Sequence, residues 1–156
     1  MRVSIRLALA ATALLAATAT AADSVQLTPG RWEETIATVS VSLDGRPLPA
    51  DAFKNQRSAD CISPEFALEP RKYFLEPDRQ KDCKPSGSIS GGRIAMSGKC
   101  TNMPFGEMMV TSTGTYQPKS YEMAMKADAI VKGKPLVINF VMHGEFVGAC
   151  RCDEDS

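Results

Sequence analysis

The sequence predicts a mainly β fold, an antiparallel meander of about six to eight strands in a strongly curved sheet or small barrel, with one short helical connection. Apolar residues recur at every second position through most of the chain, and turn-forming dipeptides separate these stretches. Only the segment between residues 48 and 83 breaks the alternation. The chain of 156 residues is long enough for a single domain.

The first 21 residues have the order of a secretory signal peptide. Arg2 and Arg6 form a short basic start, an Ala- and Leu-rich stretch covers residues 7–17, and Ala19-Thr20-Ala21 has the small side chains that signal peptidase accepts. We expect cleavage after Ala21, which leaves residues 22–156 as one β-rich periplasmic domain with a short acidic tail. The apolar stretch is too short for a membrane span, and we expect none after cleavage.

The first long strand is predicted from Trp32 to Leu43. Apolar and polar residues are expected to alternate strictly along this strand, and Asp44-Gly45 is a turn signal that ends it. The apolar residues at alternate positions are Ala37, Val39, Val41 and Leu43.

The segment after this strand predicts the helical connection. Ser63-Pro64-Glu65 offers an N-cap, a first-turn proline and an early acid for a short helix through Leu68. Pro70 should end this helix, and Arg71 to Leu75 could add another turn, so the connection is expected to lie across the sheet or over one end of it.

Gly91-Gly92 predicts a two-residue hairpin turn that sets Cys83 opposite Cys100. Counting outwards from the turn, the two cysteines fall on a non-hydrogen-bonded pair, where Cα atoms approach to roughly 4.5 Å. This register places apolar residues on one face and Ser, Lys and Arg on the other. Because disulfides are the default in an exported protein, we predict a Cys83–Cys100 bridge.

Three further cysteines remain, and Cys61 can pair with one of the two near the C-terminus. Cys150 ends an apolar strand, whereas Cys152 lies in the acidic tail. We therefore predict a Cys61–Cys150 bridge, with Cys152 surplus and able to link a dimer.

Three more strands and a final segment, Glu145 to Cys150, are predicted after the first hairpin. Residues 108–116 and 121–130 form a second hairpin that pairs Tyr116 with Tyr121 and Gly114 with Met123. A turn at residues 132–135 leads into residues 136–143, and Gly144 is expected to introduce a bend or bulge before the last segment.

The charge balance and the lack of an evident catalytic group argue against two classes of function, nucleic-acid binding and catalysis. The chain has 18 basic and 18 acidic residues, with no basic cluster of the kind that binds nucleic acid. His143 is the single His, and neither Glu122 nor Asp128 has an evident catalytic partner. Thiol exchange at Cys150 and Cys152 lacks a Cys-x-x-Cys motif. We expect no enzyme, no catalytic residue and no cofactor.

Several short motifs follow one another in a recognisable order: Pro29-Gly30-Arg31-Trp32-Glu33, Cys61-Ile62-Ser63-Pro64-Glu65, Gly91-Gly92 between two cysteines, and Gly148-Ala149-Cys150. In these motifs the chain resembles a family of small exported bacterial proteins known as domain of unknown function 3617. The resemblance covers nearly the whole mature chain and implies a periplasmic location and a four-cysteine framework. It implies no activity, substrate or cofactor, and Cys152 lies outside its pattern.

The first functional hypothesis is a binding module, because a curved sheet with an apolar inner face can hold one small apolar ligand. The alternative for the same residues is plain core packing, which would fit a structural or interaction protein of the cell envelope. The candidate lining residues are Trp32, Ile94, Met96, Val110, Tyr116, Tyr121, Met123 and Met125.

A lesser alternative is periplasmic Cu(I) or Ag(I) binding through Met123 and Met125, since thioethers select soft metals. We expect no other metal site, because Cys150-x-Cys152 lacks the second ligand pair of a zinc site.

Overall fold

A computed structural model describes residues 25–49, 55–75 and 82–150. Its strands form one antiparallel sheet in the order β2-β1-β8-β7-β6-β5-β4, and β3 pairs with β1 beside β2. The fold is therefore the predicted meander. The elements are β1 (Gly30–Leu43), β2 (Arg46–Leu48), β3 (Gln56–Ile62), α1 (Pro64–Leu68), α2 (Pro70–Leu75), β4 (Cys83–Ser90), β5 (Arg93–Met103), β6 (Gly106–Gln117), β7 (Ser120–Val131) and β8 (Lys134–Gly148).

The sheet is strongly curved but not closed, because β4 forms one edge while β2 and β3 share the other. The curved-sheet alternative is thus correct and the barrel is not formed. Glycines on the concave side permit close strand contact: a Cβ on Gly98 would lie 2.9 Å from the carbonyl oxygen of Lys84. Such positions let strands bend towards one another.

Three hairpins use two-residue turns in which both residues have positive φ. These turns are Asp44-Gly45, Gly91-Gly92 and Lys132-Gly133, with φ between 50° and 77°. This type of turn matches the right-handed twist of the flanking strands. The predicted pairings of Cys83 with Cys100 and of Tyr116 with Tyr121 are both confirmed.

The connection between β3 and β4 contains two short helices: α1 follows the Ser63-Pro64-Glu65 signal, and α2 takes the place of the further turn expected over Arg71 to Leu75. The Ser63 hydroxyl caps α1 by accepting a hydrogen bond from the Phe66 N–H at 3.5 Å. Pro70 starts α2 instead of only ending α1. The aromatic residues Tyr73 and Phe74 are buried against the sheet, so the helices cover one end of its concave side.

Two details of the strand prediction are wrong. The register between β1 and β8 shifts between Thr38 and Ser40, so Val41 faces inwards while Val39 is 60% exposed. A β-bulge adds one residue and inverts the alternation beyond it. Gly144 does not interrupt β8, which is continuous to Gly148.

Gly144 instead makes room for an aromatic ring. A Cβ at this position would collide with the ring of Tyr121 on the neighbouring strand. Gly144 therefore permits close packing against Tyr121 and does not introduce the predicted bend.

Two disulfides join Cys83 to Cys100 and Cys61 to Cys150, the two predicted pairs. The first joins neighbouring strands at the β4 edge, with Cα atoms 3.9 Å apart. The second connects the end of β3 to the chain after β8, across β1. Cys152, the signal peptide and the acidic tail lie outside the described residues.

Two of the edge strands contain a proline at a position where a strand N–H would point away from the sheet. Pro85 in β4 is paired with Gly98, and Pro47 in β2 with Ser42. In each hairpin the pair that flanks the turn is hydrogen-bonded, and hydrogen-bonded and non-hydrogen-bonded pairs then alternate. Both prolines fall on non-hydrogen-bonded pairs. Neither proline therefore removes a bond within the sheet.

No helix in the described ranges has the length and apolar character needed to cross a membrane.

Candidate functional site

The concave side of the sheet, here called the inner face, carries all eight candidate lining residues. Their strands lie side by side, and the register sets Ile94 opposite Gly114, Gly114 opposite Met123, and Tyr116 opposite Tyr121. Because side chains alternate along each strand, residues two apart on these strands share the face.

Burial divides these eight residues into two groups. Five are buried, with exposed fractions from 0% for Trp32 to 4% for Tyr116, and three are half-buried. The buried residues belong to a packed core and leave no surface to a ligand. The five buried residues are Trp32, Ile94, Tyr116, Tyr121 and Met123, and the three half-buried ones are Met96, Val110 and Met125.

The buried group belongs to a helix-side cluster beneath α1 and α2. The indole of Trp32 stacks on Tyr121 with ring centroids 5.7 Å apart, and Phe74 meets the edge of Tyr121 at 5.3 Å. The indole N–H donates to the Thr28 carbonyl at 2.9 Å, so the polar atom of this buried side chain has a partner. The buried members are Leu27, Trp32, Ile62, Ala67, Tyr73, Phe74, Ile89, Ile94, Tyr116, Tyr121 and Met123.

Glu34 is a half-buried carboxylate at the border of this cluster. One of its oxygens, Oε1, accepts hydrogen bonds from the phenols of Tyr73, at 3.0 Å, and Tyr121. The other, Oε2, accepts from the hydroxyl of Ser58 at 3.2 Å. The carboxylate thereby connects α2, β3 and β7 to β1 through hydroxyl donors.

The same contacts act on the Tyr73 phenol. Burial raises the pKa of Tyr73 above its ordinary value of 10.0, and the neighbouring Tyr121 and Glu34 raise it further. Loss of the phenol proton would put a second negative charge beside the carboxylate. Tyr73 is therefore a neutral donor throughout the physiological range.

A second, hairpin-side cluster fills the opposite end of the inner face. It contains small and aliphatic side chains, and the Cys83–Cys100 bridge borders it. Its buried members are Val41, Cys100, Met108, Ala127, Ala129, Leu136 and Ile138.

Between the two clusters runs a row of register partners, here called the middle row: Met96, Ser112, Met125 and Phe140. Met96, Met125 and Phe140 are half-buried, whereas Ser112 is buried. Thioether side chains are flexible and adapt to ligands of different shape. The half-buried members of the middle row and their neighbours Val110 and Met142 are the part of the inner face that a ligand could contact without movement of side chains.

A groove of about 470 Å³ lies between α2 and the edge strand β4, next to this row. Gly87 contributes to its wall and is the register partner of Met96, so the groove borders one end of the middle row. The remaining wall residues are Glu69, Arg71, Lys72, Leu75, Pro85 and Ser86.

The titratable residues considered for catalysis lie on the convex face. His143 is exposed and is the register partner of Glu122, while Asp128 pairs with Lys126 at 2.8 Å. Within the described ranges, no group of three or more His, Cys, Asp and Glu side chains is arranged to hold a metal ion.

Sequence reasoning missed several residues of this face. Phe140, Met142 and Phe146 share it because they alternate along β8, and the same parity places Glu34 beside Trp32. That alternation was visible in the sequence. The packing of Tyr73 and Phe74 onto the sheet was not, because it depends on how the helices fold back.

Comparison with known proteins gives a family-level match. A family profile described as "Protein of unknown function (DUF3617)" matches residues 27–150, a span that contains β1 to β8 and the two disulfides of the described residues. No curated protein and no solved structure matches the chain.

Proposed function

The chain belongs to the DUF3617 family of proteins of unknown function, and since this family name assigns no activity, we propose a function from the chain's own geometry. We propose that the protein is exported to the periplasm and binds a small apolar ligand on the middle row, without catalysis. The signal-like first 21 residues and the two disulfides support export.

One observation carries the binding proposal. The two ends of the inner face are packed, but the middle row leaves flexible apolar side chains half-buried between them. A face that served only as a core would gain stability by burying Met96, Met125 and Phe140 fully, since each buried side chain of this size contributes roughly 1.5–3 kcal/mol. Adaptable apolar surface next to a groove is instead typical of a ligand site.

The test uses the neutral fluorescent probe N-phenyl-1-naphthylamine on the mature protein. We expect the wild type to bind it and Met125→Glu to weaken binding at least about ten-fold, because a charge in an apolar site is costly. Ala124→Glu is the matched control, since Ala124 lies next in β7 but is exposed on the convex face. The fluorescence of Trp32 reports whether each variant keeps its helix-side cluster.

Failure of the wild type to bind would overturn the binding proposal and favour the structural or interaction role in the envelope. N-terminal sequencing of exported protein tests the other part of the proposal. A mature chain beginning at Ala22 supports export, and retention of residues 1–21 contradicts it.

A second candidate, Cu(I) or Ag(I) binding, gains one supporting observation. Met123 and Met142 are register partners, and Met125 is two residues from Met123 on the same face, so three thioether side chains are neighbours. Soft metals prefer such ligands. Cu(I) affinity that disappears in the Met123→Leu, Met125→Leu double variant would favour this candidate, because Leu keeps the volume and removes the sulfur.

A further inference from the structure

Ser112 in the middle row is a polar residue in an apolar environment. It is 3% exposed. Its register partners are Met96 and Met125, and its neighbours on the same face of β6 are Val110 and Gly114. Its hydroxyl is therefore surrounded by side chains that offer no strong hydrogen-bond acceptor.

The Ser112 hydroxyl makes no hydrogen bond to any of the described residues. Burial of a hydroxyl without a partner costs folding free energy, and most buried polar groups in proteins have a partner. Alanine would fill nearly the same space at no such cost. The hydroxyl at this position thus needs an explanation other than stability.

A ligand seated on the middle row would supply the missing partner. Ser112 lies between the two flexible methionines, and Gly114 beside it adds no side chain, so an oxygen atom of the ligand could reach the hydroxyl once the methionines move aside. A serine hydroxyl both donates and accepts, so it suits an alcohol, ketone or ester oxygen.

The charges around this row select an uncharged ligand. Strands β4 to β7 place no Lys or Arg on the inner face, and the carboxylate of Glu34 on that face would repel an anion. In the groove, Lys72 is paired with Glu65, and Glu69 accompanies Arg71. Counted together with Glu65, the partner of Lys72, the two cations and two anions at the groove balance, so it offers no net positive charge to a fatty acid.

Resting on the proposed function, we infer that the ligand is a neutral amphipathic molecule, with an apolar body on Met96, Met125 and Phe140 and one uncharged oxygen hydrogen-bonded to Ser112. The Ser112 hydroxyl sets the preference for an oxygen-bearing ligand, while the rest of the row supplies apolar contact.

The test measures displacement of N-phenyl-1-naphthylamine by 1-decanol and by decanoate, on wild type and on Ser112→Ala. We expect the wild type to prefer decanol. In Ser112→Ala, decanol affinity should fall about five-fold to ten-fold, the effect of one hydrogen bond, with probe affinity and stability retained or increased. Ser97→Ala, on the exposed face of β5, is the matched control and should change neither affinity.

The outcomes separate this inference from the proposed function. A wild type that does not bind the probe overturns both. Probe binding with equal decanol affinity in wild type and Ser112→Ala overturns only the role of the hydroxyl, and a preference for decanoate overturns the neutral ligand. A marked loss of stability in Ser112→Ala would give the hydroxyl a structural role and also contradict the inference.

Discussion

Glu34 shows how one carboxylate can connect separate parts of a small fold. Its oxygens accept from Tyr73, Tyr121 and Ser58, which lie on α2, β7 and β3. Two of these donors are phenols that are almost fully buried. Because buried donors need acceptors, the position of α2 on the sheet depends on an acceptor at residue 34.

Glu34→Ala should destabilise the protein by about 2–4 kcal/mol, because it removes a carboxylate that accepts hydrogen bonds from two buried phenols. The matched control is Glu33→Ala, which removes an exposed carboxylate from the other face of the same strand and should change stability by no more than about 0.5 kcal/mol. Urea unfolding measures both values. Equal effects of the two variants would contradict the role of Glu34.

The raised pKa of Tyr73 predicts a loss of folding stability in alkali. Its pKa is raised in the folded protein, whereas in the unfolded chain the phenol ionises near pH 10, so above about pH 10 unfolding releases a proton. The contribution of the Tyr73 phenol to the free energy of unfolding is complete below pH 10 and declines by about 1.4 kcal/mol per pH unit above it.

Tyr73→Phe removes this proton release, so the free energy of its unfolding should fall less steeply above pH 10 than that of the wild type. The variant loses a hydrogen bond to Glu34 and starts from lower stability at pH 7. The gap between the two proteins should therefore narrow as pH rises. Parallel profiles in urea titrations from pH 8 to about pH 11 would contradict the prediction.

Individual elements were predictable where local chemistry decides them. The Gly91-Gly92 turn fixes its own hairpin and with it the opposition of Cys83 and Cys100. The start of α1 follows equally from a local signal, Ser63-Pro64-Glu65, whereas Pro70, expected to end that helix, also begins α2. The bulge in β1 could not be predicted in this way, because the offset between Thr38 and Ser40 exists only in relation to β8.

The two disulfides should differ in their contribution to stability. The Cys61–Cys150 bridge spans 89 residues in sequence and Cys83–Cys100 spans 17. In the chain-entropy model these loops correspond to about 4–5 and about 3 kcal/mol. Replacing each pair by Ser and comparing urea unfolding should show the larger loss for Cys61 and Cys150, and the reverse order would contradict this model.

At the scale of the whole molecule, period-two patterning in the sequence accounts for the meander and its apolar face. It does not account for the division of that face into buried and half-buried parts. Alternation places Met96 and Met123 on the same side of the sheet without distinguishing their burial. That difference arises because α2 packs Phe74 onto one end only. The candidate site was therefore predicted as a face, and its usable part emerged only from tertiary packing.

The prolines at the sheet edges have a consequence for the protein in solution. An unclosed sheet can recruit strands from other molecules, and this is a common start of aggregation. Pro85 and Pro47 each remove an outward N–H from an edge strand, so a foreign strand laid along β4 or β2 would find its ladder interrupted. The protein can thus keep its concave side open without β4 or β2 becoming a template for fibrils.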